Sequence, residues 1–476
     1  MKKLLYILFT ILLSTNIFAN TEVEESIVKI YTVSKTPNYM TPWNSTIRRS
    51  HGSGSIINGK GKRILTNAHI VANQTFIEVK RYGSSKRYEA KVDYISHQAD
   101  LAILTVLDES FFKGAKSLTF GELPTIRQEV TVYGFPMGGD SLSASTGIVS
   151  RIEHNMYAHS KEIFLSIQID AAVNPGNSGG PAISDGKIVG VVMQQISRSQ
   201  NLGYLVPAEI VKHFLADIKD GKYDGFPHLG VSSQKLENEA LRSVNEMDKD
   251  TTGVLIIDVA EKSPAYDKIK PGDVLLSVDN NKIENDGTVE FRHHQFTSYK
   301  YYIDKKQLGE KISMRVLRNG VKKELSIKLN NIANDNLLVD TVIYDKMPRY
   351  YIYGGYVFSP LSRNLLQNSR STLLSLREAA SKWATEDKDD VVLLLKVLAS
   401  DISRGDHDFS LWIIDRVNSK KFKNFKEFVK ILKEFEGKYL VLENEDGVKV
   451  AICREKALKI ENTILKRYSI ENNERF

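Results

Sequence analysis

Between positions 26 and 223, apolar residues come in short alternating runs separated by turns. Val130-Thr131-Val132-Tyr133 and Phe164-Leu165-Ser166-Ile167-Gln168-Ile169 are examples. A period of two puts successive side chains on opposite faces of a strand. Many such runs, divided by Gly-rich turns, predict an all-β barrel or sandwich. The first clear helical pattern follows Pro207. Within Ala208–Ile218 the apolar residues at 210, 211, 214, 215 and 218 share one face. That helix would close the region. Lys219 to Phe226 then reads as a linker, because Gly221, Asp224, Gly225 and Pro227 break regular structure.

Residues 228–330 form a second patterned unit. The Pro271-Gly272-Asp273 turn admits the strand Val274 to Val278, and Asp279-Asn280 turns it into a hairpin. Arg318-Asn319-Gly320 supplies another hairpin turn. Phe291 to Leu308 has helical spacing and several aromatics, which would extend the unit or make a contact surface. In a third unit, Val417-Asn418-Ser419-Lys420 echoes Val278-Asp279-Asn280-Asn281, an internal repeat.

Length sets the domain number. At ~150 residues per domain, 476 residues divide into about three. Hydrophobic content of 42% and charged content of 26% are ordinary for globular protein. The net charge of +7 is spread along the chain. The run Lys420-Lys421-Phe422-Lys423-Asn424-Phe425-Lys426 reads as the solvated face of an amphipathic helix, so no nucleic-acid partner is expected. Lys2-Lys3, the apolar stretch Leu4 to Leu13 and the small residue Ala19 form a secretory-signal pattern. Its apolar stretch falls short of the ~20 residues of a membrane span. The expectation is a mature chain starting at Asn20, exported to the periplasm. Cys453 is the only cysteine, so no internal disulfide forms; its strand-like setting predicts a buried structural thiol.

Candidate chemistry centres on Asn174-Pro175-Gly176-Asn177-Ser178-Gly179-Gly180-Pro181. A serine hydroxyl is a poor nucleophile without a base and a receptor for the developing oxyanion. Upstream lie Thr66-Asn67-Ala68-His69 and Asp100-Leu101-Ala102. The chain order His69, Asp100, Ser178 is that of the chymotrypsin-type triad. Gly176-Asn177-Ser178-Gly179-Gly180 also fits the nucleophile elbow of α/β-hydrolases. That fold needs its His after the Ser, where His213, His228 and His407 stand in no comparable context, and a helix after the elbow, whereas here a turn and strand follow. There is no H-E-x-x-H, and the adjacent His293-His294 would not share a face of regular structure, so neither a metal nor any other cofactor is expected.

Seven pieces in order resemble the HtrA/Deg serine proteases. They are Gly52-Ser53-Gly54-Ser55-Ile56-Ile57, Leu65-Thr66-Asn67-Ala68-His69-Ile70-Val71, Ala99-Asp100-Leu101-Ala102, Gly134-Phe135-Pro136-Met137-Gly138, Gly147-Ile148-Val149-Ser150, Gln168-Ile169-Asp170-Ala171-Ala172-Val173 and Gly203-Tyr204-Leu205-Val206-Pro207. Lys262-Ser263-Pro264-Ala265 with Ile269 to Ile283 resembles a PDZ core, and Tyr353-Gly354-Gly355-Tyr356 resembles the start of the second PDZ in the plant-type Deg subgroup. The resemblance implies a mainly β chain: a chymotrypsin-like double β-barrel protease domain followed by two α+β PDZ-like domains. The expected division is 1–19 signal, 20–223 protease, 226–332 first PDZ, 340–462 second PDZ-like domain and 463–476 tail.

The resemblance also implies roles. Ser178 would be the nucleophile, His69 the base and Asp100 its orienting partner, with Gly176, Asn177 and Ser178 forming the oxyanion loop. Ala172 and Val173 would line a pocket for small or medium aliphatic P1 residues. Leu229, Gly230 and Val231 would receive the C-terminus of a hydrophobic peptide. Expected partners are unfolded or misfolded polypeptides and further copies of the chain, in trimers or multiples of them. The alternative reading is a chaperone-like or scaffold protein with a silent barrel.

Overall fold

The computed structural model describes residues 23–59, 61–195, 202–331, 337–368 and 374–476. The expected signal at 1–19 and the start at Asn20 lie outside the described residues. The alternating runs become two closed barrels of six strands each. The first holds β1 (Ile27–Pro37), β2 (Ser45–Gly59), β3 (Gly61–Thr66), β4 (Gln74–Arg81), β5 (Tyr88–Ser96) and β6 (Leu101–Val106), in the order β1-β2-β3-β6-β5-β4. The second holds β7 (Glu129–Gly134), β8 (Ser143–Met156), β9 (Ile163–Ile169), β10 (Pro181–Ser184), β11 (Lys187–Gln195) and β12 (Gly203–Pro207), in the order β10-β11-β12-β9-β8-β7.

The period of two sorts side chains between two apolar compartments. Ile56, Ile64, Ala102 and Leu104 fill the first barrel. Their neighbours Ile57, Leu65, Leu101 and Ile103 turn outward into a separate apolar layer. In the second barrel Leu165, Ile167 and Ile169 point inward, while Phe164 joins that same outer layer with Tyr133, Phe135, Ile188, Tyr204 and Val206. The layer is therefore the seam between the barrels. It also explains why Leu101-Ala102-Ile103-Leu104 is apolar without interruption: both faces of β6 are buried. The helix Ala208–Asp217 starts directly after Pro207 and adds Ile210, Val211 and Phe214 to the seam.

A five-strand path follows, with β13 (Val231–Lys235) at its edge, then β14 (Val254–Val259), β15 (Val274–Val278), β19 (Lys311–Arg318) and β20 (Val321–Lys328). The short β16 (Asn281–Lys282) pairs with β15. The segment expected to be helical is instead a ribbon, β17 (Thr288–Arg292) with β18 (Gln295–Ser298), then a single helical turn, Tyr301–Asp304. Its aromatics explain the difference. Tyr301 is buried in the core of the second barrel, and Phe291 and Tyr302 pack against it. His154 on β8 reaches the same segment, with Nδ1 2.7 Å from Thr297 Oγ1 and Nε2 3.2 Å from Asp304 Oδ2. The aromatics thus serve docking, and helical periodicity was a coincidence of their spacing. The barrels and this sheet form one compact unit.

The second unit comprises residues 332–476 with 35–47 and 260–263. Gly354 and Gly355, at φ +56° and +93°, form the two-residue turn between the strands Tyr350–Tyr353 and Tyr356–Pro360. The sequence echo is a shared turn. Asp279 and Asn280 lie at φ +44° and +64°, and Asn418 and Ser419 at +48° and +66°. In each, the first side chain accepts from a neighbouring strand: Asp279 Oδ1 from Ser313 N (3.0 Å) and Asn418 Oδ1 from Val441 N (2.8 Å). Asn424 caps the helix Phe425–Glu434, which buries Phe425, Phe428, Val429 and Leu432 on one face. Residues 463–476, expected as a tail, are part of the fold: the helix Arg454–Arg467 runs into them, and the strand Glu474–Arg475 pairs with Tyr350–Tyr351. Cys453 ends a strand and is half-buried rather than buried.

Two histidines of the first unit predict acid lability. His213 stacks on Phe226 with ring centroids 4.1 Å apart, and burial pushes its pKa down to about 4. Burial, with Lys300 nearby, does the same to His228. A neutral imidazole in the fold gains a proton on unfolding once the pH is below the ordinary value. The stability each contributes is thus intact above pH ~6.5 and lost between there and about 4, up to about 3 kcal/mol per residue. Urea unfolding at pH 7 and pH 4.5 should show this decline, and His213→Leu should make it shallower.

Candidate active site

Asp100 is the residue before β6, at φ +53° and 1% exposed. Its left-handed backbone turns the carboxylate toward the single helical turn Ala68–Val71 that follows β3. Asp100 Oδ1 accepts from His69 N at 2.9 Å, and Oδ2 lies 2.7 Å from His69 Nδ1. Asn67 Nδ2 donates to the Asp100 carbonyl oxygen at 2.8 Å. Backbone and side chain of one histidine thus bind one carboxylate, which fixes the ring and leaves Nε2 on the other side. Burial alone would lower the His69 pKa; the charge and hydrogen bond of Asp100 outweigh it and hold it above the ordinary value.

Ser178 comes from the second barrel, on the loop before β10. Its hydroxyl donates to the Met193 carbonyl oxygen at 3.4 Å. The N–H groups of Asn177, Gly179 and Gly180 are engaged by the carbonyls of Asn174, Val192 and Asn177. Among the described residues, no backbone carbonyl takes the N–H of Gly176 or Ser178. The oxyanion donors expected at Gly176 and Ser178 are thus available, while the Asn177 N–H is committed to the turn. Gly176 stands at φ +101°, and a Cβ there would meet the Phe135 carbonyl oxygen at 2.4 Å. Gly179, at φ +82°, would place a Cβ 2.2 Å from the Ser53 carbonyl oxygen. These two positions admit no other residue without moving backbone.

Ser53, in the motif Gly52-Ser53-Gly54, has a structural role that its sequence setting does not predict. It is fully buried on β2 and ties the first barrel to the loop of the second. Its N–H donates to the Ser178 carbonyl oxygen (2.8 Å), its hydroxyl donates to the Gly176 carbonyl oxygen (2.7 Å), and the same hydroxyl accepts from Phe135 N (2.8 Å). A second omission is the pair His97 and His159, whose Nδ1 and Nε2 are 2.9 Å apart. The His159 ring centroid lies 6.2 Å from that of His69. His97 precedes Asp100 by three residues, but His159 sits in the loop between β8 and β9, which no local pattern connects to the triad.

Val173 is buried in the second barrel, Ala172 is exposed, and a Cβ on Gly203 would strike Val173. Leu229 is a core residue of the PDZ-type sheet, and Val231 begins its edge strand. Gly230, at φ +75°, gives its N–H to His228 Nδ1 at 3.0 Å, so that donor is already engaged.

Residues 52–191 match the family model of a trypsin-like peptidase domain, and residues 227–329 and 339–474 match models of PDZ domains. The chain is 39% identical over 427 residues to Protease Do-like 4, mitochondrial, of Arabidopsis thaliana, spanning 89% of this chain and 80% of that one. It belongs to the HtrA/Deg family of serine proteases. A second Arabidopsis thaliana relative, Protease Do-like 2, chloroplastic, is 37% identical over 452 residues, 94% of this chain and 74% of that one. Among solved structures, HtrA-type protease AlgW with tripeptide aligns at 26% identity and a TM-score of 0.52, over 66% of this chain and 95% of that chain. The named destinations of these Do-like relatives, mitochondrion and chloroplast, overturn the periplasmic export expected from the N-terminus.

Replacing Ser53 in this Deg protease tests the support of the loop. Ser53→Ala leaves the Phe135 N–H and the Gly176 carbonyl oxygen without their buried partner. Each such group costs about 1–3 kcal/mol. Denaturant unfolding should show a loss of that order, and kcat should fall more than KM changes if the loop carries the expected oxyanion donors.

Proposed function

We propose that the chain is an ATP-independent serine endopeptidase that cleaves unfolded or misfolded polypeptides through His69, Asp100 and Ser178. The observation that carries this is the His69–Asp100 arrangement on one barrel, together with a serine loop on the other that touches the first barrel at Ser53 and Thr66 and whose Gly176 and Ser178 N–H groups are uncommitted. Ser178 Oγ turns from Met193 toward His69 Nε2, loses its proton to it and attacks the scissile carbonyl. The two N–H groups receive the oxyanion; such a donor contributes on the order of 100-fold or more in rate. His69 then returns the proton to the leaving amine, with Asp100 stabilising the imidazolium and staying ionised. The hydroxyl's contact with Met193 describes a resting serine, compatible with activation on substrate binding.

The P1 preference is read from the segment before Ser178, where Ala172 is exposed and Val173 lies in the barrel core. No acid stands at Ala172 or Val173, so a P1 lysine or arginine would find no partner there, and small or medium aliphatic P1 residues are favoured. The PDZ units are read as peptide-capture or assembly modules, and the family resemblance supports a homo-oligomer. In the first PDZ unit, β13 lies at the sheet edge and is open to strand addition by an extended peptide. His228 competes there with a peptide carboxylate for the Gly230 N–H.

Purified protein beside its Ser178→Ala form should separate the protease reading from a silent barrel: casein is digested by the first and left intact by the second. Equal digestion by both would end the assignment. Asp100→Asn should lower kcat/KM by on the order of 10⁴-fold. It should also move the acid limb of the residual activity to lower pH, since the effect that raises the His69 pKa is gone and burial remains.

The capture reading has its own test. His228→Ala releases the Gly230 N–H, so fluorescent peptides with hydrophobic C-termini should bind the full-length Ser178→Ala protein more tightly in that background. Unchanged or weaker binding would assign β13 to assembly rather than capture.

A further inference from the structure

We infer that Glu290, His293 and His294, at the tip of the β17–β18 ribbon, form a binding site for a divalent transition-metal ion of the zinc class. In a regular strand, adjacent histidines point to opposite faces. Here the chain turns between β17 and β18, and His294 takes a left-handed backbone at φ +58°. That conformation brings both imidazoles to one side, with ring centroids 3.9 Å apart. The His294 N–H donates to Glu290 Oε1 at 2.6 Å, and His293 Nδ1 lies 4.0 Å from the same oxygen. One donor atom from each of the three residues lies within 4.8 Å of the other two. The expectation of no metal rests on the missing H-E-x-x-H and on regular backbone at His293-His294, and the turn at those two residues departs from regular backbone.

The donor set selects the ion. Two imidazole nitrogens and one carboxylate suit zinc, cobalt, nickel or copper, whereas magnesium and calcium prefer oxygen ligands throughout. Three protein ligands leave a tetrahedral ion one position for water. All three side chains are exposed, so binding requires no opening of the fold.

The ribbon carrying the ligands is held from both sides. The Arg292 guanidinium donates to the Pro124 carbonyl oxygen at 2.7 Å and also to that of Leu123. The Tyr302 hydroxyl donates to the Glu290 carbonyl oxygen at 3.2 Å. Glu290 pairs with Phe296, and Arg292 with Gln295, across the ribbon. A backbone fixed in this way presents its ligands with little ordering left to do on binding.

Isothermal titration of Zn²⁺ into the full-length Ser178→Ala protein tests the site, with Co²⁺ absorption as a report on ligand geometry. One saturable site is expected, insensitive to excess Mg²⁺ or Ca²⁺ and weakened on acidification, since imidazole ligands must be neutral. His293→Ala and His294→Ala should each weaken it at least tenfold, Glu290→Gln should weaken it less, and His159→Ala should leave it unchanged. No saturable binding would overturn the proposal. So would binding that survives His293→Ala combined with His294→Ala, or binding lost in His159→Ala, which would place the metal at the His97–His159 pair instead.

Discussion

The proposed active site is divided between two barrels, so its geometry depends on the apolar seam where they meet. His69 and Asp100 belong to the first barrel and Ser178 to the second. Nothing covalent holds them in register except a chain that passes once from one barrel to the other. What fixes the distance is the layer built from alternate residues of β2, β3, β6, β9, β11 and β12. Close-packed side chains resist displacement because any gap forfeits contacts on both sides. Ser53 adds direction to that packing. Its hydrogen bonds cross from the first barrel to the backbone of Gly176 and Ser178, so the loop is positioned by the same element that closes the first barrel.

Within this frame the electrostatics are local and directed. A carboxylate that is 1% exposed carries a large desolvation cost unless its oxygens are bonded. Both Asp100 oxygens are satisfied by His69, one by the backbone and one by the ring. The pair therefore serves stability and orientation together. Its charge also sets the proton affinity of His69, since without Asp100 burial alone would drive the imidazole toward the neutral form. The His97–His159 pair lies close to this arrangement, with the His159 ring centroid 6.2 Å from that of His69.

The first PDZ unit is bound to the second barrel by side chains that a free-standing domain would have no use for. Tyr301 enters the barrel core, Arg292 is held by two barrel carbonyls, and His154 bridges Thr297 and Asp304. His154 stands on β8, the strand that leads into the loop carrying His159. The docking segment and the His97–His159 pair therefore attach to one stretch of backbone, β8 and the loop after it.

The sequence by itself determined the strand-rich fold class, the order His69, Asp100, Ser178, the helix after Pro207 and the paired turns at Asp279 and Asn418. Each is written in local terms: a period of two or 3.6, a glycine or asparagine where the backbone is left-handed, a motif whose members are neighbours in the chain. Only the tertiary structure decided which face of β6 meets which barrel, that Ser53 holds the Gly176–Ser178 loop, that His159 stands beside His69 and that the Gly230 N–H is engaged by His228. It also turned Phe291 to Leu308 from an expected helix into a docked ribbon, and carried residues 463–476 into a helix and a paired strand. These contacts join residues far apart in the chain. Their energies come from the partner that burial supplies, and no local pattern specifies that partner.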